Sequence, residues 1–158
     1  MIIKNLKIIS GGQTGVDRAA LDFAIKNNIQ TGGYCPRGRK AEDGAIPEIY
    51  PLIELESKKY SDRTKANVEE ADGTLVITWS KEPGHGTKKT IEFCLQLGKP
   101  FKICKMEEVE NIDEYFAFHH WLIRNHIKVL NIAGNRESKS PGIYEKTLET
   151  LEILSEKK

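Results

Sequence analysis

Apolar residues recur along the chain in two alternating rhythms, short continuous runs and longer stretches at helical spacing. Leu6 to Ile9 is a short apolar run that stops at Ser10-Gly11-Gly12. From about Asp17 to Lys26 the spacing predicts a helix, with Val16, Ala20, Phe23 and Ala24 on one face and Asn27-Asn28 closing it. Thr31 to Tyr34 reads as a small second strand. Cys35 to Pro47 reads as a long polar loop, a length that in compact domains usually serves function. Tyr50 to Leu55 is expected as a third strand, and Asp62 to Ala71 as a helix with Thr64, Val68 and Ala71 aligned. Thr74 to Thr78 is a continuous β-branched run of the kind buried on both faces of a parallel sheet. After a turn over Ser80–Gly86, a helix is expected from Thr87 to Leu97, then a strand from Phe101 to Cys104.

The next helix carries an apolar stripe of Ile112, Tyr115, Phe116, His119, Leu122, Ile123 and His126. Phe118 and Trp121 fall off that stripe, which suggests a second buried face, such as a subunit interface. Val129 to Ile132 is the last expected strand, and a helix from about Gly142 to Leu154 ends the alternation. Strands alternating with helices indicate a mostly parallel sheet covered on both faces, a doubly wound three-layer α/β fold. At 158 residues the chain suits one domain spanning 1–158.

Composition narrows the function classes. The net charge of +1 argues against a polyanion-binding surface, so nucleic acid is not an expected partner. No apolar stretch is long enough to span a membrane, and no leader pattern opens the chain; a cytoplasmic protein is expected. Cys35, Cys94 and Cys104 are odd in number and form no C-x-x-C pair, so neither a disulfide framework nor a structural metal is expected.

In a doubly wound sheet the strand-to-helix loops gather at the carboxyl edge, where ligands bind. Five segments are expected there: Gly11–Asp17, Cys35–Pro47, Lys59–Arg63, Trp79–Thr87 and Ala133–Pro141. With the helix starts that follow them, they carry Arg18, Arg37, Arg39, Lys40, Arg63, Lys88, Lys89, Arg136 and Lys139, while much of the acidic charge lies elsewhere. A nearly neutral protein is thus expected to hold a positive cleft.

In the first segment, Gly11, Gly12, Gln13, Thr14, Gly15 and Asp17 precede or open a helix. Glycines permit close backbone approach, and helix-start N–H groups favour an anion. The spacing is neither G-x-G-x-x-G nor a Walker A. Gly84, His85, Gly86 and Thr87 open another helix in the same way, and Asn135 with Arg136 follows the last strand. The composition of these loops points to a small phosphorylated or otherwise anionic ligand.

The block Ser10 to Asp22 resembles the opening of the molybdenum carrier family, related to molybdenum cofactor carrier proteins. Gly33 to Gly44 with Pro47 is similar to its second block. Tyr60, Arg63, Thr64, Asn67 and Val68, with Asp72-Gly73-Thr74, are similar to its third. The resemblance covers most of the chain. It implies a Rossmann-like domain, often a homo-oligomer (dimer or tetramer), that holds molybdenum cofactor as a bound ligand. The wider group includes lysine-decarboxylase-like phosphoribohydrolases, which carry a P-G-G-x-G-T-x-x-E block. Here Thr90 stands where that catalytic Glu would be, and the block is one residue shorter before Gly86-Thr87. The resemblance therefore implies a binder rather than a hydrolase. A nucleotide-processing hydrolase and a nucleotide-derivative sensor remain the alternatives.

Overall fold

The computed structural model describes residues 2–79 and 83–156; the Ser80–Glu82 part of the expected turn lies outside the described residues. In chain order its elements are β1 (Lys7–Ile9), α1 (Val16–Lys26), β2 (Gln30–Gly32), β3 (Tyr34–Cys35), β4 (Lys40–Ala41), β5 (Gly44–Ala45), β6 (Ile53–Glu54), α2 (Tyr60–Glu70), β7 (Gly73–Thr78), α3 (His85–Leu97), β8 (Phe101–Lys105), α4 (Ile112–Arg124), β9 (Val129–Gly134) and α5 (Ile143–Ser155).

Five of the strands form one sheet in the order β2-β1-β9-β7-β8, every pairing parallel. The fold is three-layer α/β, Rossmann-like and doubly wound. The last strand, β9, sits in the middle of the sheet between β1 and β7. Moving β9 and α5 to the front of the chain would turn this order into 3-2-1-4-5, the usual doubly wound winding. The architecture is therefore that of a permuted chain. Its switch point, where the winding reverses direction, lies between β9 and β7.

The two faces of the sheet differ. On one, α1 packs against α5 and α5 against α4. Leu75, Ile77, Leu130 and Ile132 meet Val16, Phe23, Phe118, Leu122 and Leu151 there in a continuous apolar core. The pleat sends Thr74, Val76 and Thr78 to the other face, under α2 and α3. That side is more polar. Asn131, 3% exposed, donates to the Thr74 hydroxyl across 3.3 Å.

Several expected boundaries move. The segment Thr31–Tyr34 is two strands, with β2 in the main sheet and β3 turned away at Gly33. Gly33 has φ +124°, and a Cβ there would lie 2.2 Å from the Ser10 carbonyl oxygen. The expected third strand, Tyr50–Leu55, shrinks to β6, which pairs with β3 outside the main sheet. Pro51 lacks the N–H that a longer ladder would need. The Cys35–Pro47 loop is partly ordered as the antiparallel pair β4 and β5. It packs Cys35, Ala41 and Ile46 on Leu21, Tyr50 and Leu52 in a small second core. Helix α3 begins at His85, two residues before the expected Thr87.

The expected stripe on α4 is largely turned outward. Phe118 is fully buried, and Trp121 is partly buried against the core. Ile112, Phe116 and Ile123 are exposed. His119 is buried, its Nε2 2.8 Å from the Leu154 carbonyl oxygen. His126 falls beyond the helix end in the left-handed region. The three cysteines are free and buried, and burial pushes the Cys104 thiol up to about 12.

Gly33→Ala is expected to lower the unfolding free energy by about 2 kcal/mol or more in urea titrations, because the backbone must shift away from Ser10. Gly38→Ala, at φ +77° with open space around it, should cost only the left-handed penalty of about 1 kcal/mol.

Candidate functional site

The carboxyl ends of β1, β9 and β7 open onto a cavity of about 330 Å³, within the range of small-molecule pockets. It lies at the switch point, where the loop after β9 separates the segments that follow β1 and β7. Gly11, Gln13 and Asp17 supply one part of the wall, and Gly84 to Thr87 with Thr90 supply another. Asn135 and Arg136 lie between them, while Arg63, Thr64 and Asn67 enter from α2.

Gly11 is there to seat an arginine. A Cβ at Gly11 would lie 2.3 Å from Cδ of Arg63, so a side chain there would have to displace the arginine from its place against the backbone. Arg63 Nη1 donates to the Gly11 carbonyl oxygen at 3.1 Å and lies 3.5 Å from Asp17 Oδ2. Both side chains are buried. Burial pushes the Asp17 carboxyl above its ordinary range, against the pull of Arg63 and of the Gln13 backbone N–H. Gln13 is 5% exposed. Its Oε1 accepts from the backbone N–H groups of Thr14 and Glu42, which fixes the orientation of the amide. Its Nε2 is buried and has no hydrogen-bond partner among the described residues.

At α3, Gly84 precedes the helix, and the first-turn N–H groups have no partner inside it. Asn135 braces this turn: its Oδ1 accepts from the Gly84 N–H at 3.0 Å and from the Thr87 hydroxyl at 2.8 Å. Thr90 donates its hydroxyl to the Gly86 carbonyl oxygen. His85 is exposed on the wall. Lys89 and Lys139 also line the cavity, the former 3.4 Å from Glu92 on its own helix.

On α2, Asn67 pins β3, accepting from the Tyr34 N–H and donating to the Tyr34 carbonyl oxygen. The Thr64 hydroxyl donates to the Tyr60 carbonyl oxygen. The Tyr60 ring gathers three cations: Lys40 Nζ 4.6 Å from its centroid, Arg136 Cζ at 5.3 Å and Arg63 Cζ at 5.4 Å.

The remaining sequence candidates lie outside the cavity wall. Gly12 and Gly15 shape the first loop at φ +74° and +80°. Thr14 donates its hydroxyl to Glu42 and accepts the Glu137 N–H. Arg18 forms a two-pronged pair with Asp43. Arg39 is a staple for its own loop, donating to the carbonyl oxygens of Ile46, Pro47 and Tyr50. Arg37 is exposed and lines a separate shallow depression.

Glu42 escaped the sequence reading. Its carboxylate accepts from Thr14 and from the N–H and hydroxyl of Ser138, and lies 3.7 Å from Arg136. It ties the second block to both the β1 and β9 loops. Partial burial alone would raise its pKa; the Ser138 and Thr14 hydrogen bonds and Arg136 outweigh that and hold the carboxyl below its ordinary value of 4.5. Asn131 is another omission. Its signal was a lone amide inside an apolar strand.

Among the described residues no three His, Cys, Asp or Glu side chains converge as metal ligands. No helix among them is long and apolar enough to cross a membrane.

Residues 8–155 match the model of the circularly permutated YpsA SLOG family. The chain belongs to that family. The strand order accounts for the description, since β9 sits where the first strand of an unpermuted chain would lie. A crystal structure described as "Putative molybdenum carrier protein" from Syntrophus aciditrophicus SB is 46% identical. It aligns over 96% of this chain and 95% of its own, with a TM-score of 0.89. Among curated proteins none matches. Membership in this SLOG family places the chain in the molybdenum-carrier, LOG-like group that the motif resemblance indicated.

Arg63→Leu should cost about 3–5 kcal/mol in urea unfolding, because it strands a buried carboxylate. The double variant with Asp17→Asn should recover part of that loss. The Glu42 tie acts with opposite sign to acid: its contribution is present above pH 4.5 and is lost as pH falls through the lowered folded value. Glu42→Gln should therefore flatten the acid limb of the stability profile, read as urea midpoints across that window.

Proposed function

We propose that the protein binds a small phosphorylated heterocycle in this cavity and holds it intact, with molybdenum cofactor as the first candidate cargo. One observation carries the reading. The open first turn of α3 lines a cavity whose described wall holds Arg63, Arg136, Lys89 and Lys139 against a single carboxylate, Asp17. Helix-start N–H groups and an excess of cations are the chemistry that captures a phosphate. Support for the cargo comes from the sequence motifs and from the description attached to the 46%-identical protein. Binding without cleavage is supported by Thr90, whose hydroxyl is engaged by Gly86 where the enzyme relatives place an acid. The buried free thiols suit a reducing cytoplasm.

One observation favours a second reading, hydrolysis of a nucleotide. Asp17 lines the cavity, and burial disfavours its charged form, as a general acid requires.

Thermal denaturation with pterin phosphates, nucleoside monophosphates and molybdate checks the first reading. At least one phosphorylated heterocycle should raise the melting temperature by several degrees. Gly86→Asp is the discriminating variant. Its added side chain meets open space, so the fold should persist, while its carboxylate should abolish the shift. A flat response to every anion, or an unchanged shift in Gly86→Asp, would overturn the binding reading. Release of base from a nucleoside monophosphate, lost on Asp17→Asn, would establish the second.

A further inference from the structure

We propose that the cavity contains a second anion subsite, built by Arg63 and Arg136 around Tyr60 and completed by Gln13 Nε2, so that the ligand carries two separate anionic groups. The inference rests on the pocket reading above, which assigns one such group to the start of α3.

Gln13 supplies the first argument. Its Oε1 is committed to two backbone donors, so Nε2 can only donate. The side chain is 95% buried, lines the cavity and leaves that donor without a partner among the described residues. A buried donor without an acceptor is costly, and an acceptor on the ligand resolves it.

The Tyr60 ring supplies the second. Three cations from three segments, Lys40, Arg63 and Arg136, lie within 5.4 Å of its centroid. The carboxylates facing them are Asp17, against Arg63, and Glu42, against Arg136. Lys40, exposed beside the neighbouring depression rather than in the cavity wall, makes no ion pair among the described residues and leaves the cluster around the ring one positive charge in excess. The electron-rich ring face holds cations close without neutralising them. Such an arrangement gathers charge for an incoming anion.

The two subsites use different elements. The α3 subsite is braced by Asn135 through Gly84 and Thr87, whereas the Tyr60 cluster is tied through Gln13, Asp17 and Glu42 to the β1 loop and the second block. A ligand with a single phosphate engages one of them. A heterocycle bearing two separated oxyanions engages both.

Calorimetric titration of the native protein with adenosine 5′-monophosphate and adenosine 3′,5′-bisphosphate reads this directly. The bisphosphate should bind about tenfold tighter or more, the worth of one additional charge-assisted contact. Arg136→Gln and Tyr60→Leu should bring the ratio close to one, the bisphosphate losing more affinity than the monophosphate. Lys40→Gln, on an exposed side chain that leaves the fold untouched, should reduce the ratio by about twofold to threefold. Gly86→Asp should weaken both probes. Equal binding of the two probes to the native protein, or a ratio that survives all three cluster variants, overturns the second subsite while leaving the pocket reading intact. Failure of both probes, together with a flat thermal response to every anion, overturns both.

Discussion

A guanidinium buried inside a protein demands a counter-charge and acceptors, and the site is arranged around meeting that demand for Arg63. The side chain leaves α2, crosses to the β1 loop and finds the Gly11 carbonyl oxygen and the Asp17 carboxylate. This one contact fixes three things together. It favours glycine at position 11, places a carboxylate in the cavity wall, and docks α2 against the carboxyl end of the sheet. Burial costs both charges solvation, so the pair specifies geometry more than it adds stability. Asp17 records that cost in its raised pKa.

Permutation decides where the cavity lies. With β9 central, the loop after the last strand reaches between the β1 loop and the start of α3. Asn135 and Arg136 occupy adjacent positions on that loop but serve different neighbours. One braces α3, and the other faces Tyr60 and Glu42. A strand at the sheet's edge could not contribute to both sides of the opening. The polar layer beneath, Asn131 against Thr74, continues the cavity's character into the sheet.

The legible and illegible parts of the sequence divide along a physical line. Periodicity identified β1, β7, β8 and β9 of the main sheet, because each is a short apolar run bounded by glycine or polar turns, and it only overlapped β2, whose Gln30-Thr31-Gly32 carries no apolar residue. It was only partly right on α4: of the expected stripe His119 and Leu122 are buried, while Ile112, Phe116 and Ile123 satisfy helical spacing yet face outward. Spacing identifies a face, but the partner that covers it is a tertiary fact. The same limit separated the arginines. Arg37, Arg39, Arg63 and Arg136 are equivalent as residues in loops, but Arg39 is consumed by carbonyl oxygens of its own loop while Arg63 reaches the cavity. Glu42 was invisible for the complementary reason: an acidic residue beside Asp43 in a basic block carries no periodic signal, and its partners at Thr14 and Ser138 are distant in the chain.

The sequence by itself determined the fold class, the family and the segments that gather at the carboxyl edge, because periodicity and motif spacing are local properties. Only the tertiary structure decided that β9 enters the centre of the sheet and that Gly11 serves an arginine. It alone showed that Gln13 retains an unmatched donor and that Tyr60 collects three cations. Each of these depends on groups brought together from remote parts of the chain. Close packing and hydrogen-bond satisfaction select among them only once the layers have assembled.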